Sequence, residues 1–131
     1  MKKDRILNPE ITAAVAALGH TEYLCIGDCG LPVPEGVRTI DVSVTAGLPR
    51  FLQVLEAVAG ELVVESYICA GEIDEKNPET LRRMEEILAG KPVRKVPHEE
   101  FKRLMEKAKC VIRTGETSPY ANVILIGGVN F

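Results

Sequence analysis

Leu18-Gly19-His20-Thr21-Glu22-Tyr23-Leu24-Cys25-Ile26-Gly27-Asp28-Cys29-Gly30-Leu31-Pro32 is the stretch on which the reading of this chain turns. Its centre, from Tyr23 to Gly27, is a short apolar run bounded by turn-forming residues, the pattern of a strand buried on both faces. Upstream, Asn8-Pro9-Glu10 offers a helix N-cap, a proline at the first helical position and an early acid. Ile11, Ala14, Val15 and Leu18 then share one helical face, and Gly19 can close the helix. A helix running straight into a doubly buried strand is the repeating unit of an α/β protein, and it leaves His20 and Asp28 just outside the two ends of the strand.

The same alternation continues outward. Leu31-Pro32-Val33-Pro34 reads as a stiff loop, residues 39–44 as a second strand, and Gly47-Leu48-Pro49 as the start of a helix carrying Phe51, Leu52, Val54, Leu55 and Val58 and stopped by Gly60. Residues 62–70 form a third strand. Asn77-Pro78-Glu79 repeats the first helix-start signature for a helix over residues 78–89 that Gly90 ends. A short strand from Val93 to Val96 precedes Pro97. His98-Glu99-Glu100 opens a helix to about residue 109, with acids in its first turn and Phe101, Leu104, Met105 and Ala108 on its apolar side. Residues 110–113 and Val123 to Gly127 supply two more strands around a polar loop. The pattern predicts a three-layer α/β/α sandwich around a largely parallel, mixed sheet of about six strands. At 131 residues it is read as a single domain, 1–131.

Charge narrows the partners. With 16 Lys and Arg against 19 Asp and Glu, both signs scattered, no basic stripe awaits a nucleic acid backbone or an anionic membrane. The basic start, Met1-Lys2-Lys3-Asp4-Arg5, is interrupted at Asn8-Pro9-Glu10 before a signal-peptide apolar region can form, and the later run ending at Val129 is too short to span a bilayer. The expectation is a cytoplasmic protein with neither nucleic acid nor membrane as partner. The four cysteines (Cys25, Cys29, Cys69, Cys110) have no Cys-x-x-Cys spacing and read as reduced thiols, three of them core residues.

In sheets of this kind ligands collect at loops outside strand ends. His20, Asp28, His98 and Tyr120 all fall there. Each has an ordinary role to weigh against a functional one: His20 as a cation past a helix C-terminus, His98 as a polar residue opening a helix, Asp28 as an Asx-turn residue. A metal site from His20, Cys25, Asp28 and Cys29 is disfavoured, because the two thiols are separated by three residues, an unusual spacing for a zinc knuckle, and Cys25 points into the core. The sequence has no Gly-x-Gly-x-x-Gly, P-loop or Gly-x-Ser-x-Gly element. The loop Arg113-Thr114-Gly115-Glu116-Thr117-Ser118-Pro119-Tyr120-Ala121-Asn122, by contrast, gathers a phenol, an amide and hydroxyls, which suits a polyhydroxylated ligand.

These motifs occur in an order that resembles the family comprising ribose pyranases and fucose mutarotases. The resemblance runs from Ile6-Leu7-Asn8 and Leu18-Gly19-His20-Thr21 through Asp28-Cys29-Gly30-Leu31-Pro32-Val33-Pro34 and Gly47-Leu48-Pro49-Arg50-Phe51. It continues in His98-Glu99-Glu100-Phe101-Lys102, Arg113-Thr114-Gly115-Glu116, Ser118-Pro119-Tyr120-Ala121-Asn122 and the closing Gly128-Val129-Asn130-Phe131. Gly-Leu-Pro after Asp28 and the Ser-Pro-Tyr-Ala-Asn run resemble the ribose branch, while Cys29 replaces a commoner small residue. The resemblance implies an isomerase that interconverts pyranose and furanose D-ribose without redox cofactor or metal. It implies His20 as the proton donor, Asp28, His98, Tyr120 and Asn122 as sugar contacts, and a ring-shaped homo-oligomer, a decamer, with sites between subunits. Fucose or another monosaccharide as substrate, and a sugar-binding accessory protein without catalysis, are the alternatives.

Chemistry and geometry sharpen this expectation. Opening a hemiacetal requires one group to take the anomeric hydroxyl proton and another to protonate the ring oxygen, and a histidine, which ordinarily titrates near about 6.5, can do either near neutral pH. Eight extended residue steps between His20 and Asp28 would span roughly 20–26 Å, so His20 is expected to serve the site of a neighbouring subunit unless the turn at Thr21-Glu22 folds back sharply.

Overall fold

Successive strand side chains enter two different cores in turn, and this alternation builds the two faces of the sheet. The computed structural model describes residues 1–131. Strands β1 (Tyr23–Gly27), β2 (Arg38–Asp41), β3 (Val64–Ala70), β4 (Val93–Val96), β5 (Ala108–Arg113) and β6 (Val123–Gly127) form one sheet in the order β2-β5-β1-β6-β3-β4. Leu24 and Ile26, Tyr67 and Cys69, Cys110 and Ile112, and Val123 and Leu125 face the larger core; Cys25, Ile68, Val111 and Ile124 face the smaller one. A period of two with both faces apolar is what a doubly covered sheet requires.

Helices α1 (Pro9–Ala17), α2 (Phe51–Ala59), α3 (Ile73–Lys76) and α4 (Pro78–Ile87) contribute Ile11, Phe51, Val54, Leu55, Val58, Ile73 and Met84 to the larger core. The opposite face is covered by α5 (His98–Leu104) and a 3₁₀ turn, Met105–Lys107, through Phe101 and Met105. The three-layer α/β expectation therefore holds, with unequal outer layers. The sheet is mixed: β2, β5 and β1 run parallel, as do β3 and β4, and only β6 runs against both of its neighbours. No helix is long and apolar enough to cross a membrane.

Several boundaries differ from the sequence expectation for local reasons. The expected strand over 39–44 stops at Asp41, whose Oδ1 accepts the Ser43 N–H at 2.9 Å and turns the chain. The last helix ends at Leu104 because the chain tightens into the 3₁₀ turn and Ala108 is drawn into pairing beside Tyr23. Helix α4 stops at Ile87, two residues early, and Gly90 leaves it in the left-handed region at φ 77°. The single turn α3 has no helical period in the sequence, being only four residues long. Helix α1 is N-capped as expected by Asn8, whose side chain accepts from the Ile11 N–H at 2.9 Å, but it closes at Leu18 in extended conformation rather than at Gly19.

Candidate functional site

Because β1 to β5 share one direction and β6 opposes them, the C-terminal ends of five strands and the residues leading into β6 meet at one edge of the sheet. Asp28 leaves β1 there, Arg113 closes β5, His98 follows β4, and Tyr120 and Asn122 precede β6. Asn122, 1% exposed, reads Asp28 twice: its Oδ1 accepts the Asp28 backbone N–H at 2.8 Å, and its Nδ2 donates to Asp28 Oδ2 at 3.0 Å. Asp28 Oδ1 accepts from the Gly30 N–H at 2.9 Å, so its ordinary turn role and its place in the cluster coexist. Gly27 permits this approach, since a Cβ there would lie 3.0 Å from Asn122 Oδ1 and 2.5 Å from Leu31 Cδ2.

His98 and Tyr120 make an aromatic wall. Their ring centroids lie 5.2 Å apart, nearly perpendicular at 83°, and Phe101 stacks behind the imidazole at 6.2 Å. The Glu72 carboxylate accepts the His98 backbone N–H through both oxygens, at 3.1 and 3.0 Å, which fixes the first residue of α5. His98 Nδ1 is buried with no hydrogen-bond partner in the chain. Tyr120 is held at φ 56°, a left-handed conformation uncommon for a bulky residue, and the adjoining loop is pinned by Asn77 Nδ2, which donates to Ser118 Oγ at 3.0 Å and to the Pro119 carbonyl at 2.8 Å.

Beneath this loop Glu116 is 2% exposed. It accepts from Arg50 Nε and Nη2, at 2.5 and 3.1 Å, and from Ser118 Oγ at 2.5 Å. Burial alone would raise its pKa, but the hydrogen bonds from Arg50 and Ser118 outweigh burial and hold the carboxyl below the ordinary glutamate value. Thr114 Oγ1 donates to the Gly27 carbonyl at 2.8 Å and accepts from the Glu116 N–H at 3.2 Å, tying the loop to the end of β1.

His20 stands at the opposite edge. Its Nε2 lies 3.3 Å from Glu65 Oε1 near the start of β3, and each side chain is half exposed. The turn is tight, with the Glu22 N–H donating to the Gly19 carbonyl at 3.2 Å and Thr21 at φ 66°. Thr21 N–H donates to the Gly127 carbonyl at 2.8 Å, at the far end of β6 from Asn122. Five residue steps from Asn122 to Gly127 correspond to about 16 Å, so the turn shortens the separation expected from an extended run without bringing His20 to Asp28. One chain thus groups Asp28, His98, Tyr120 and Asn122 and holds His20 away from them.

His20 and Asp28 are at opposite ends of β1 and Cys25 is fully buried, so the considered set of metal ligands does not converge; no group of three such side chains elsewhere does. Burial pushes the Cys25 and Cys110 thiols up, and Cys69 up to about 11, the opposite of a reactive thiolate. A groove of about 330 Å³ between the N-terminal segment and α2 is lined mainly by apolar residues, including Ile6, Leu7, Ile11, Val54 and Val58, and holds none of the candidate residues. Sequence reading did not single out Glu65 or Glu72, which act across 45 and 26 residues and leave no local pattern; Asn77 entered it only as a helix start, but its amide makes no cap hydrogen bond and instead reaches 41 residues to Ser118.

An α/β sheet that gathers a carboxylate, an amide, a phenol and an imidazole where its strands end has the arrangement of a small-molecule protein. The chain belongs to the RbsD / FucU transport protein family, whose sequence model matches residues 1–130. It is 51% identical over 131 residues to a D-ribose pyranase of Laribacter hongkongensis, covering 100% of both chains. The structure of Bacillus subtilis RbsD complexed with D-ribose superimposes with a TM-score of 0.97 at 46% identity, again over 100% of both chains. The Streptococcus pneumoniae fucose mutarotase shares the fold at a TM-score of 0.82 and 20% identity, over 95% of each chain.

Proposed function

We propose that this chain is an isomerase that interconverts the pyranose and furanose forms of D-ribose by acid/base-catalysed ring opening and reclosure, acting as a single domain without cofactor. The observation that carries the reading is the Asp28–Asn122 and His98–Tyr120 cluster at one sheet edge, in a chain half identical over its full length to D-ribose pyranases. Asp28 and Asn122 bind sugar hydroxyls; Tyr120 and His98 offer an aromatic wall and polar ring atoms. His20 exchanges the proton that opens the hemiacetal, and the open aldehyde recloses through a different hydroxyl. The complementary proton is handled by His98 or a bound water.

The edge-to-edge separation of His20 from the cluster supports a site completed by a second copy of the chain, in a ring-shaped homo-oligomer that we take to be a decamer. Four unpaired cysteines fit a reducing cytoplasm. Exchange NMR on ribose with and without the protein tests the reading: faster pyranose–furanose exchange supports it, and unchanged exchange with retained ribose binding identifies a binding protein instead. A larger acceleration for fucose than for ribose reassigns the substrate.

A further inference from the structure

We infer that Glu65 is a positioning residue for His20, accepting the Nε2–H and leaving Nδ1 as the nitrogen that exchanges protons with the sugar. The inference rests on the assignment of proton transfer to His20 and adds a residue to it. Three features of the fold converge on this pair.

Glu65 is the extra residue of a β-bulge. In the β3–β6 ladder Val64 pairs with Gly127 and Ser66 with Ile126, so two steps on β3 oppose one on β6. A bulge turns one side chain out of the regular alternation, a device found next to active sites. Here it aims the Glu65 carboxylate at the imidazole.

The histidine is delivered to that carboxylate by a turn with little freedom. Thr21, a β-branched residue, is held at φ 66°, where a non-glycine residue persists only if its surroundings enforce it. The enforcement is visible: Thr21 N–H and Gly127 O at 2.8 Å on one side, Gly127 N–H and Glu22 O at 2.9 Å on the other. Gly127 has no room for a side chain, because a Cβ would sit 2.5 Å from the Gly19 carbonyl oxygen. Backbone contact therefore fixes the turn against β6, and β6 in turn sets the bulge that carries Glu65.

The other carboxylate on the turn is already engaged. Glu22 Oε2 accepts the Gly19 N–H at 2.8 Å, and its Oε1 lies 3.0 Å from Lys109 Nζ. That leaves Glu65 as the acceptor facing the ring. An ion pair with half of each side chain in solvent adds little to folding stability, so stability gives no account of a bulge and a strained turn converging on it. A defined tautomer does, because a histidine that moves protons works only with the correct nitrogen free.

The test compares the parent with Glu65→Ala, Glu65→Gln and Glu65→Asp, reading ribose exchange kinetics and the His20 ring nitrogens by long-range ¹H–¹⁵N NMR at a pH where the imidazole is neutral. Glu65→Ala lowers kcat about 10-fold with KM little changed, the size expected when a functional histidine loses its orienting partner. It also converts one tautomer into a mixture. Glu65→Gln, which retains an acceptor oxygen at the same reach, keeps kcat and the single tautomer. Glu65→Asp, one methylene too short, behaves like alanine and carries the comparison if Glu65→Ala does not assemble. Parent kcat in the Ala or Asp variant, a loss confined to KM, an unchanged tautomer, or equal losses in all three variants overturns the inference. His20→Ala run in parallel separates the two failures: if it keeps the parent rate, proton transfer by His20 is wrong; if it is inactive while Glu65→Ala is not, only the role of Glu65 is wrong.

Discussion

Asn122 and Asp28, 94 residues apart, are joined by two hydrogen bonds of 2.8 and 3.0 Å that use both ends of the asparagine amide. One side chain thereby sets both the backbone and the carboxylate at the end of β1. The amide orientation follows, since only Oδ1 can accept the Asp28 N–H and only Nδ2 can donate to the side-chain oxygen.

Removing that amide should damage binding and folding together. Asn122→Ala leaves the Asp28 N–H and carboxylate without their partner and is expected to cost about 1–3 kcal/mol of stability. Asn122→Asp keeps the shape but sets a second carboxylate against Asp28, and is expected to weaken ribose binding further. Thermal melts and NMR titration with ribose check both; a variant that melts and binds like the parent removes Asn122 from the site.

Subunit mixing addresses the shared site. His20→Ala and Asp28→Ala proteins, each expected to be inactive alone, should regain a fraction of parental exchange activity when unfolded and refolded together, because some sites then receive an intact His20 and an intact Asp28 from different chains. Verified mixed oligomers with no recovered activity would count against a site divided between copies.

Acid should unfasten the loop that carries Tyr120. Glu116 has its pKa lowered in the folded protein, so its contribution to stability is complete above the unfolded glutamate value, about 4.3, and is lost as pH falls through the lower folded value. Arg50→Ala removes the cationic partner and is expected to lower the thermal midpoint at neutral pH. It should also flatten the acid dependence below about pH 4.5, since a carboxyl with a less depressed pKa loses less on protonation. Melting curves from pH 3 to 7 read both effects.

Gly127→Ala separates His20 from the sugar-binding edge. The added methyl, 2.5 Å from the Gly19 carbonyl oxygen, forces the His20 turn away from β6 while Asn122 and Asp28, at the other end of that strand, keep their contacts. Ribose affinity is expected to stay within about 3-fold while kcat falls about 10-fold or more, the split that marks loss of a transition-state contact. Equal losses in affinity and rate would show that the two edges are not independent.

Much of the architecture was legible because it rests on local rules. Asn8-Pro9 started a helix, the apolar run at Tyr23 made a buried strand, and the polar loop ending at Asn122 lay at strand ends. The short helix α3 and the early end of β2 escaped, since one was a single turn and the other was ended by a side chain bonding two residues ahead. Among the site's neighbours, Glu116 was visible within a motif and Asn77 only as a helix start, whereas Glu65 and Glu72 were not, because nothing in their own segments distinguishes them from surface acids.

By itself the sequence determined the alternation of helices and strands, the residues that face the core, and a family resemblance that named His20, Asp28, His98, Tyr120 and Asn122 as candidates. Periodicity and capping act within a few residues, so a linear reading captures them. Only the tertiary structure decided which of those residues meet. The insertion of β6 between β1 and β3, antiparallel to both, places Asn122 beside Asp28 at one edge and Gly127 beside the His20 turn at the other. Strand order and direction arise from long-range pairing and the burial of both sheet faces, and no local pattern encodes them.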